Sequence, residues 1–91
     1  MRPVSFHRHA ASYFKRLPAD RRAQLVSAIE TLRVPRPPRE LPNVKLMAGE
    51  WAGCFRMRVG SLRVIFRIAR QDDGAEAVEI LQIGPRGDVY K

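Results

Sequence analysis

A stretch of alternating apolar and arginine residues between positions 51 and 68 constrains the fold more than any other feature of this sequence. The second half of the segment 51–59 and the whole of the segment 62–68 alternate with the period of β-strands that bury one face. Only Gly60-Ser61 separates them, and a two-residue connection with glycine first is typical of a tight hairpin turn. The sequence therefore predicts an antiparallel hairpin in which Arg58 lies directly opposite Arg63.

The predicted hairpin has one apolar face and one basic face. The apolar face is expected to pack against the rest of the domain and consists of Phe55, Met57, Val59, Leu62, Val64 and Phe66. The basic face carries Arg56, Arg58, Arg63 and Arg67, and no Asp or Glu occurs between residues 51 and 71. Because like charges directly opposite each other destabilise paired strands, this face favours a polyanionic partner. The alternative interpretation is that long arginines only solvate the open face of a one-sided sheet.

The remaining segments predict an α+β fold. Apolar residues at helical spacing predict one helix through residues 10–17 and a second over 19–33, with Pro18 between them. Alternation predicts strands over 3–7 and 77–83, and four prolines make 34–43 an extended connector. The predicted order is β-α-α-β-β-β, in which a small, mostly antiparallel sheet carries a helical hairpin on one face.

Composition limits the class of protein. The 91 residues, 45% of them apolar, are enough for one globular domain over 1–91. No apolar run approaches the length of a membrane span or a secretory signal, and the single cysteine, Cys54, has no partner for an internal disulfide. A cytoplasmic protein without membrane contact is therefore expected.

The charge indicates the kind of partner. Lys and Arg number 17 against 9 Asp and Glu, which gives a formal net charge of +8, and fourteen of the cations are arginine. Arginine holds phosphate with a planar, two-pronged set of donors, whereas lysine acts as a point charge. The bias therefore favours a nucleic acid as the partner.

Several short motifs resemble, in their order and spacing, one family of proteins. They are Leu17-Pro18, Lys45-Leu46, Gly49, the segment RMRVGSLRVIF at 56–66 and the segment IGPRGDVY at 83–90. Together these motifs resemble the RelE/ParE superfamily of bacterial toxins from type II toxin–antitoxin systems, over nearly the whole chain. The fold of that superfamily is the one predicted above.

The resemblance implies a catalytic role for the basic face. The RelE branch cuts messenger RNA in the ribosomal decoding site without metal or other cofactor, by attack of a 2′-hydroxyl that leaves a cyclic phosphate. By position, the implied catalytic residues are Arg56, Arg58, Arg63, Arg86 and Tyr90, and the implied RNA-binding residues are Lys45 and Arg67. Arg63 would stabilise the transition state and Arg86 would serve the leaving group. Well-known members carry lysine where this chain has Arg56 and Arg58. Since arginine stays protonated, the proton acceptor is open, with Tyr90 or charge stabilisation alone as the options.

The resemblance also implies partners and leaves alternatives. The partners are a small, acidic cognate antitoxin, the ribosome and messenger RNA, and the toxin–antitoxin complex often binds its own promoter DNA. The ParE branch shares the arginine hairpin but inhibits DNA gyrase and cuts no RNA. The Arg86…Tyr90 ending and the paired arginines favour RelE-like cleavage over gyrase inhibition. A nucleic-acid-binding relative without catalysis is the second alternative.

A His-x-His pair at His7 and His9 is the one motif in the sequence that suggests a metal. No third ligand is evident, because Cys54 is alone and the acidic residues are dispersed. Two solvated histidines at a strand-to-helix junction are the favoured interpretation, and no metal site is expected.

Overall fold

Helices and strands follow one another in the computed structural model of the chain, which describes residues 1–85. In chain order the elements are β1 (Val4–Phe6), α1 (Arg8–Arg16), α2 (Ala19–Glu30), β2 (Val44–Leu46), β3 (Phe55–Val59), β4 (Leu62–Arg70) and β5 (Glu76–Pro85). The strands form one sheet in the order β1-β5-β4-β3-β2, in which β1 runs parallel to β5 and every other pair is antiparallel. The predicted α+β fold with a mostly antiparallel sheet is confirmed.

The central hairpin has the register that the sequence predicts. Arg58 pairs with Arg63, and the turn closes through Gly60, whose φ of 59° is a left-handed conformation that glycine adopts without strain. The tip of the hairpin lies on α2, since Arg21 Nη1 donates a hydrogen bond of 2.9 Å to Ser61 Oγ. A Cβ atom on Gly60 would lie 3.1 Å from Gln24 Nε2 of the same helix.

The hydrophobic core lies between one face of the sheet and the two helices. It consists of Ala10, Leu25, Ile29, Leu32, Val44, Met57, Val59, Leu62, Val64, Phe66, Val78, Ile80 and Ile83. The Phe6 and Phe14 rings join β1 to α1 at a centroid distance of 5.5 Å. Both helices therefore pack on the same face of the sheet, as predicted, with α1 against β5 and α2 against β3. Within residues 1–85, no helix combines the length and the apolar surface that membrane spanning requires.

A buried arginine ties the start of the chain to the connector and to β5. Arg2 is only 7% exposed, and its Nε and Nη2 both donate to Glu76 Oε1, at 3.2 and 2.9 Å. Nη1 donates to the carbonyl oxygens of Leu32 and Val34, and Nη2 donates to that of Arg36, at 2.9 to 3.1 Å. The planar guanidinium thus satisfies three carbonyls and one carboxylate at once, so this arginine is structural.

Two predicted boundaries are wrong near the connector. The strand expected to begin at residue 51 begins at Phe55, because a 3₁₀ turn over Gly49–Trp51 and the left-handed Gly53 (φ 88°) precede it. The helix expected to reach residue 33 ends at Glu30 and continues as the 3₁₀ turn Thr31–Arg33. The edge strand β2 was not predicted at all.

A β-bulge interrupts the pairing of β4 with β5. Ile65 pairs with Gln82 and Phe66 with Ile80, so that Leu81 is the extra residue on β5. Strict alternation would place Ile80 and Ile83 on opposite faces, since three positions separate them. The bulge shifts the alternation by one residue, and both isoleucines lie in the core.

Candidate nucleic-acid interface

The sheet face opposite the helices carries the predicted basic residues in two adjacent rows. In one row, Arg58 of β3 lies opposite Arg63 of β4. In the next row, Lys45 of β2 lies opposite Arg56 of β3, which in turn lies opposite Ile65 of β4. Because directly paired residues share a face, the sheet brings these four cations together at the end formed by β2, β3 and β4.

A surface depression of about 340 Å³ lies among these cations. It is lined by Pro42, Asn43, Lys45, Arg56 and Arg58, none of which is acidic. Asn43 fixes the position of Arg58, because the Arg58 backbone N–H donates to the Asn43 carbonyl at 2.9 Å and Asn43 Nδ2 donates to the Arg58 carbonyl at 3.0 Å. No sequence pattern singles out Asn43, the last residue of the proline-rich connector.

Arg56 presents a buried donor to this depression. Its Nε atom is excluded from solvent and has no hydrogen-bond partner among residues 1–85. A buried polar group normally has a partner, and each exception calls for a physical reason. Arg56 Nε is therefore a donor for which residues 1–85 supply no acceptor.

Arg63 is buried on this face. Its exposure is only 5%, and the neighbouring Ile65 is fully buried although it does not belong to the core between sheet and helices. Arginine is almost never buried without a role in pairing or binding. The interpretation that the arginines only solvate an open face is therefore wrong for Arg63, whereas Arg58 is exposed beside it.

Arg67 has an acidic partner, contrary to the expectation that the arginines of the basic face have none. Its Nε donates to Glu79 Oε1 of β5, the residue directly opposite it in the sheet. His7 Nε2 lies 3.9 Å from the same carboxylate oxygen. The segment 51–71 contains no acid, but the pairing of β4 with β5 brings Glu79 from outside that segment to Arg67. The predicted RNA contact of Arg67 therefore competes with an existing ion pair.

Two other sequence expectations concern metal ligands and the end of the chain. In the part of the chain that the structure describes, no three or more His, Cys, Asp or Glu side chains form a group suited to a metal ion. His7 lies beside Glu79, whereas His9 is in the first turn of α1. Arg86 and Tyr90, which the resemblance assigns to catalysis, lie outside the described residues.

Comparison with known proteins decides the family. The sequence model described as the ParE toxin of the type II toxin–antitoxin system, parDE, matches residues 4–90. The chain belongs to this family. It is accordingly a toxin of the RelE/ParE superfamily, as the sequence motifs suggested. A search of curated protein sequences finds no significant match.

Proteins named RelE or RelBE are among the solved structures that share this fold. The toxin–antitoxin complex RelBE2 from Mycobacterium tuberculosis is 28% identical with a TM-score of 0.68, and the match covers 93% of this chain and 98% of that chain. The archaeal RelE–RelB complex from Pyrococcus horikoshii OT3 is 24% identical with a TM-score of 0.71, over 96% and 97% of the two chains. The isolated E. coli RelE toxin is 21% identical with a TM-score of 0.67, over 99% and 92%. The family model is thus named after ParE, whereas these solved structures are named after RelE.

Proposed function

We propose that this toxin cleaves messenger RNA on the ribosome, by attack of a 2′-hydroxyl on the adjacent phosphate. The observation that carries the proposal is the depression lined by Lys45, Arg56 and Arg58, next to the directly opposed Arg58 and Arg63. Three cations line the depression, and none of its lining residues is acidic. Such an arrangement suits a reaction whose transition state gains negative charge on phosphate oxygens.

The described cations differ in the environment from which they act. Arg63 is buried, and a buried guanidinium acts on developing charge with less screening by water than an exposed one. Arg58 is exposed, and Asn43 fixes its backbone by two hydrogen bonds, so the Arg58 side chain can bind the phosphate of the incoming RNA. Arg56 offers a donor without a partner among residues 1–85. Arg86 and Tyr90 are proposed to serve the leaving group and the substrate, by their resemblance to the family positions.

The test uses purified toxin, ribosomes programmed with a labelled message, and mapping of the new RNA 3′ ends. Cuts within the codon of the decoding site that end in a cyclic phosphate are expected. Arg63→Ala and Arg86→Ala should each lower the cleavage rate by about 100-fold, as loss of one preorganised donor does in other enzymes. Arg39→Ala, an exposed arginine of the connector, is the matched control and should cleave normally. Intact RNA with folded wild-type toxin would contradict the proposal.

A cognate antitoxin is proposed as the partner that controls the toxin. The Mycobacterium tuberculosis RelBE2 structure is described as a toxin–antitoxin complex, and the Pyrococcus horikoshii structure is described as a RelE–RelB complex. The net charge of +8 favours an acidic partner, and the sheet ends in the edge strands β1 and β2, which can each pair with an added strand. Mixing the toxin with an antitoxin should abolish cleavage, and the complex is expected to bind promoter DNA.

Inhibition of DNA gyrase is the second candidate, because the matching family model is described as the ParE toxin. A gyrase supercoiling assay with the same toxin preparation separates the two functions. Loss of supercoiling without RNA cleavage would assign the toxin to gyrase. Binding of nucleic acid with neither activity would indicate a relative without catalysis.

A further inference from the structure

The arginines of the basic face within residues 1–85 cannot accept the proton of the attacking 2′-hydroxyl. Arginine remains protonated at any accessible pH, so Arg56, Arg58 and Arg63 cannot accept it. Building on the proposed function, we infer that Lys45 is the catalytic residue that takes this proton. Its role thus extends beyond the phosphate or RNA contact expected of any cation on this face.

The position of Lys45 carries the inference. The sheet register places Lys45 directly opposite Arg56, and both side chains line the depression together with Arg58. The other two lining residues, Pro42 and Asn43, have no basic side chain. Among the described residues of this depression, Lys45 is therefore the one side chain with a neutral, proton-accepting form.

The surroundings of Lys45 leave its amine available. The charged groups on the elements packed against β2 are Arg56 and Arg58 of β3, and Arg39 and Glu40 of the 3₁₀ turn Pro38–Glu40. None of the ion pairs within residues 1–85 includes Lys45. The amine is thus exposed, surrounded mainly by positive charge and not held by a carboxylate.

The step balances with this residue as the base. The 2′ oxygen bonds to phosphorus while its proton moves to the neutral Lys45 Nζ, and the bond between phosphorus and the 5′ oxygen breaks. The departing 5′ oxygen takes up a proton from water. The products are a 2′,3′-cyclic phosphate and a 5′-hydroxyl, and the lysine then returns its proton to solvent.

His7 is the competing base on the same face of the sheet. It follows β1, whereas Lys45 is in β2, and these two strands are the opposite edges of the sheet. His7 lies 3.9 Å from Glu79, which Arg67 already engages. Because the opposed arginines and the depression lie on β3 and its neighbours, the geometry favours Lys45.

The experiment compares single-turnover cleavage on programmed ribosomes for the wild type, Lys45→Arg, Lys45→Met and His7→Gln. Lys45→Arg keeps the positive charge but removes the neutral form. It should therefore bind the programmed ribosome with wild-type affinity and cleave about 100-fold or more slowly, which is the usual contribution of a general base. His7→Gln should behave as the wild type.

The outcomes separate this inference from the proposed function. The inference is overturned if Lys45→Arg cleaves at the wild-type rate while Lys45→Met binds the programmed ribosome more weakly. Lys45 would then be a phosphate contact only. A loss of cleavage rate confined to His7→Gln would identify His7 as the base that accepts the proton, and it would also overturn the inference. Absence of cleavage by the wild type would instead remove the proposed function, and the role of Lys45 with it. Thermal unfolding of each variant verifies that the loss is not one of folding.

Discussion

Arg58 and Arg63 lie directly opposite each other on adjacent antiparallel strands, in the hairpin that forms the middle of the sheet. One of the two is exposed and the other is buried. A design for stability alone would place an acid or an uncharged residue at one of these positions, because opposite charges across a strand pair stabilise it and like charges do not. Binding of a phosphate, as proposed for this part of the sheet, would make use of two cations that do not favour the pairing of their strands.

Replacing Arg58 should consequently stabilise the fold while weakening function. Arg58→Gln removes one member of the like-charged pair, so the free energy of unfolding should rise by a few tenths to about 1 kcal/mol. Urea unfolding followed by circular dichroism measures this change. Because the protein carries a net charge of +8, losing any cation also reduces general repulsion. Arg39→Gln controls for that effect, and an equal gain in Arg39→Gln would show that the opposed pair itself costs nothing.

The ion pair of Arg67 with Glu79 should make Arg67 a weaker RNA contact than Arg58. Each phosphate contact to a single strand contributes about 0.7 to the slope of log affinity against log salt. Arg58→Gln should lower that slope by about this amount, whereas Arg67→Gln should leave it nearly unchanged. Glu79→Gln should release Arg67 and raise affinity. Fluorescence anisotropy of a labelled RNA oligomer at several salt concentrations tests all three, and equal slopes for both arginine variants would mean that RNA opens the ion pair.

Local patterns predicted the central hairpin because its pairing is determined within 18 residues. The turn Gly60-Ser61 fixes the register, and strict alternation on both sides fixes the faces, so the opposition of Arg58 and Arg63 followed directly. By contrast, β2 is only three residues long and follows a proline-rich connector. Its pairing with β3 is a long-range event that leaves no periodic signal in the sequence.

Residues whose roles depend on distant parts of the chain were not predictable in this way. Arg2 finds its partner at Glu76, and Arg67 finds its partner at Glu79, only after β5 has joined the sheet. The bulge at Leu81 changes which residues of β5 face the core, and alternation alone cannot reveal a single inserted residue. The basic face itself was predicted, but the division of its arginines into buried, exposed and paired required the complete sheet.

Arg2 should be far more important for stability than for function. Arg2→Met leaves Glu76 without its closest partner and three carbonyl oxygens without a donor, which is expected to cost about 3 kcal/mol or more. Arg70 also approaches Glu76, at 3.5 Å, but is 72% exposed. Arg70→Met, the matched control, should therefore cost less than about 1 kcal/mol. Chemical denaturation measures both, and similar small losses would mean that the Arg2 contacts contribute little.

The hairpin tip should be sensitive to a single methyl group at Gly60. Gly60→Ala suffers two separate effects, a left-handed backbone conformation that alanine disfavours and a Cβ atom 3.1 Å from Gln24 Nε2. Gly74 has a similar positive φ of 86°, but a Cβ atom there would meet nothing within 4 Å. Gly74→Ala should therefore cost only the conformational part, about 1–2 kcal/mol, and Gly60→Ala should cost more.

Adding Gln24→Ala to both glycine variants isolates the steric part of the Gly60 effect. This second substitution should recover stability in Gly60→Ala, because Gln24 no longer crowds the new methyl group, and should leave Gly74→Ala unchanged. A double-mutant cycle on the free energies of unfolding gives the coupling directly. Zero coupling between positions 24 and 60 would mean that the Gln24 side chain rotates away from the new methyl group without cost, and that the hairpin tip is held on α2 by other contacts such as the Arg21–Ser61 hydrogen bond.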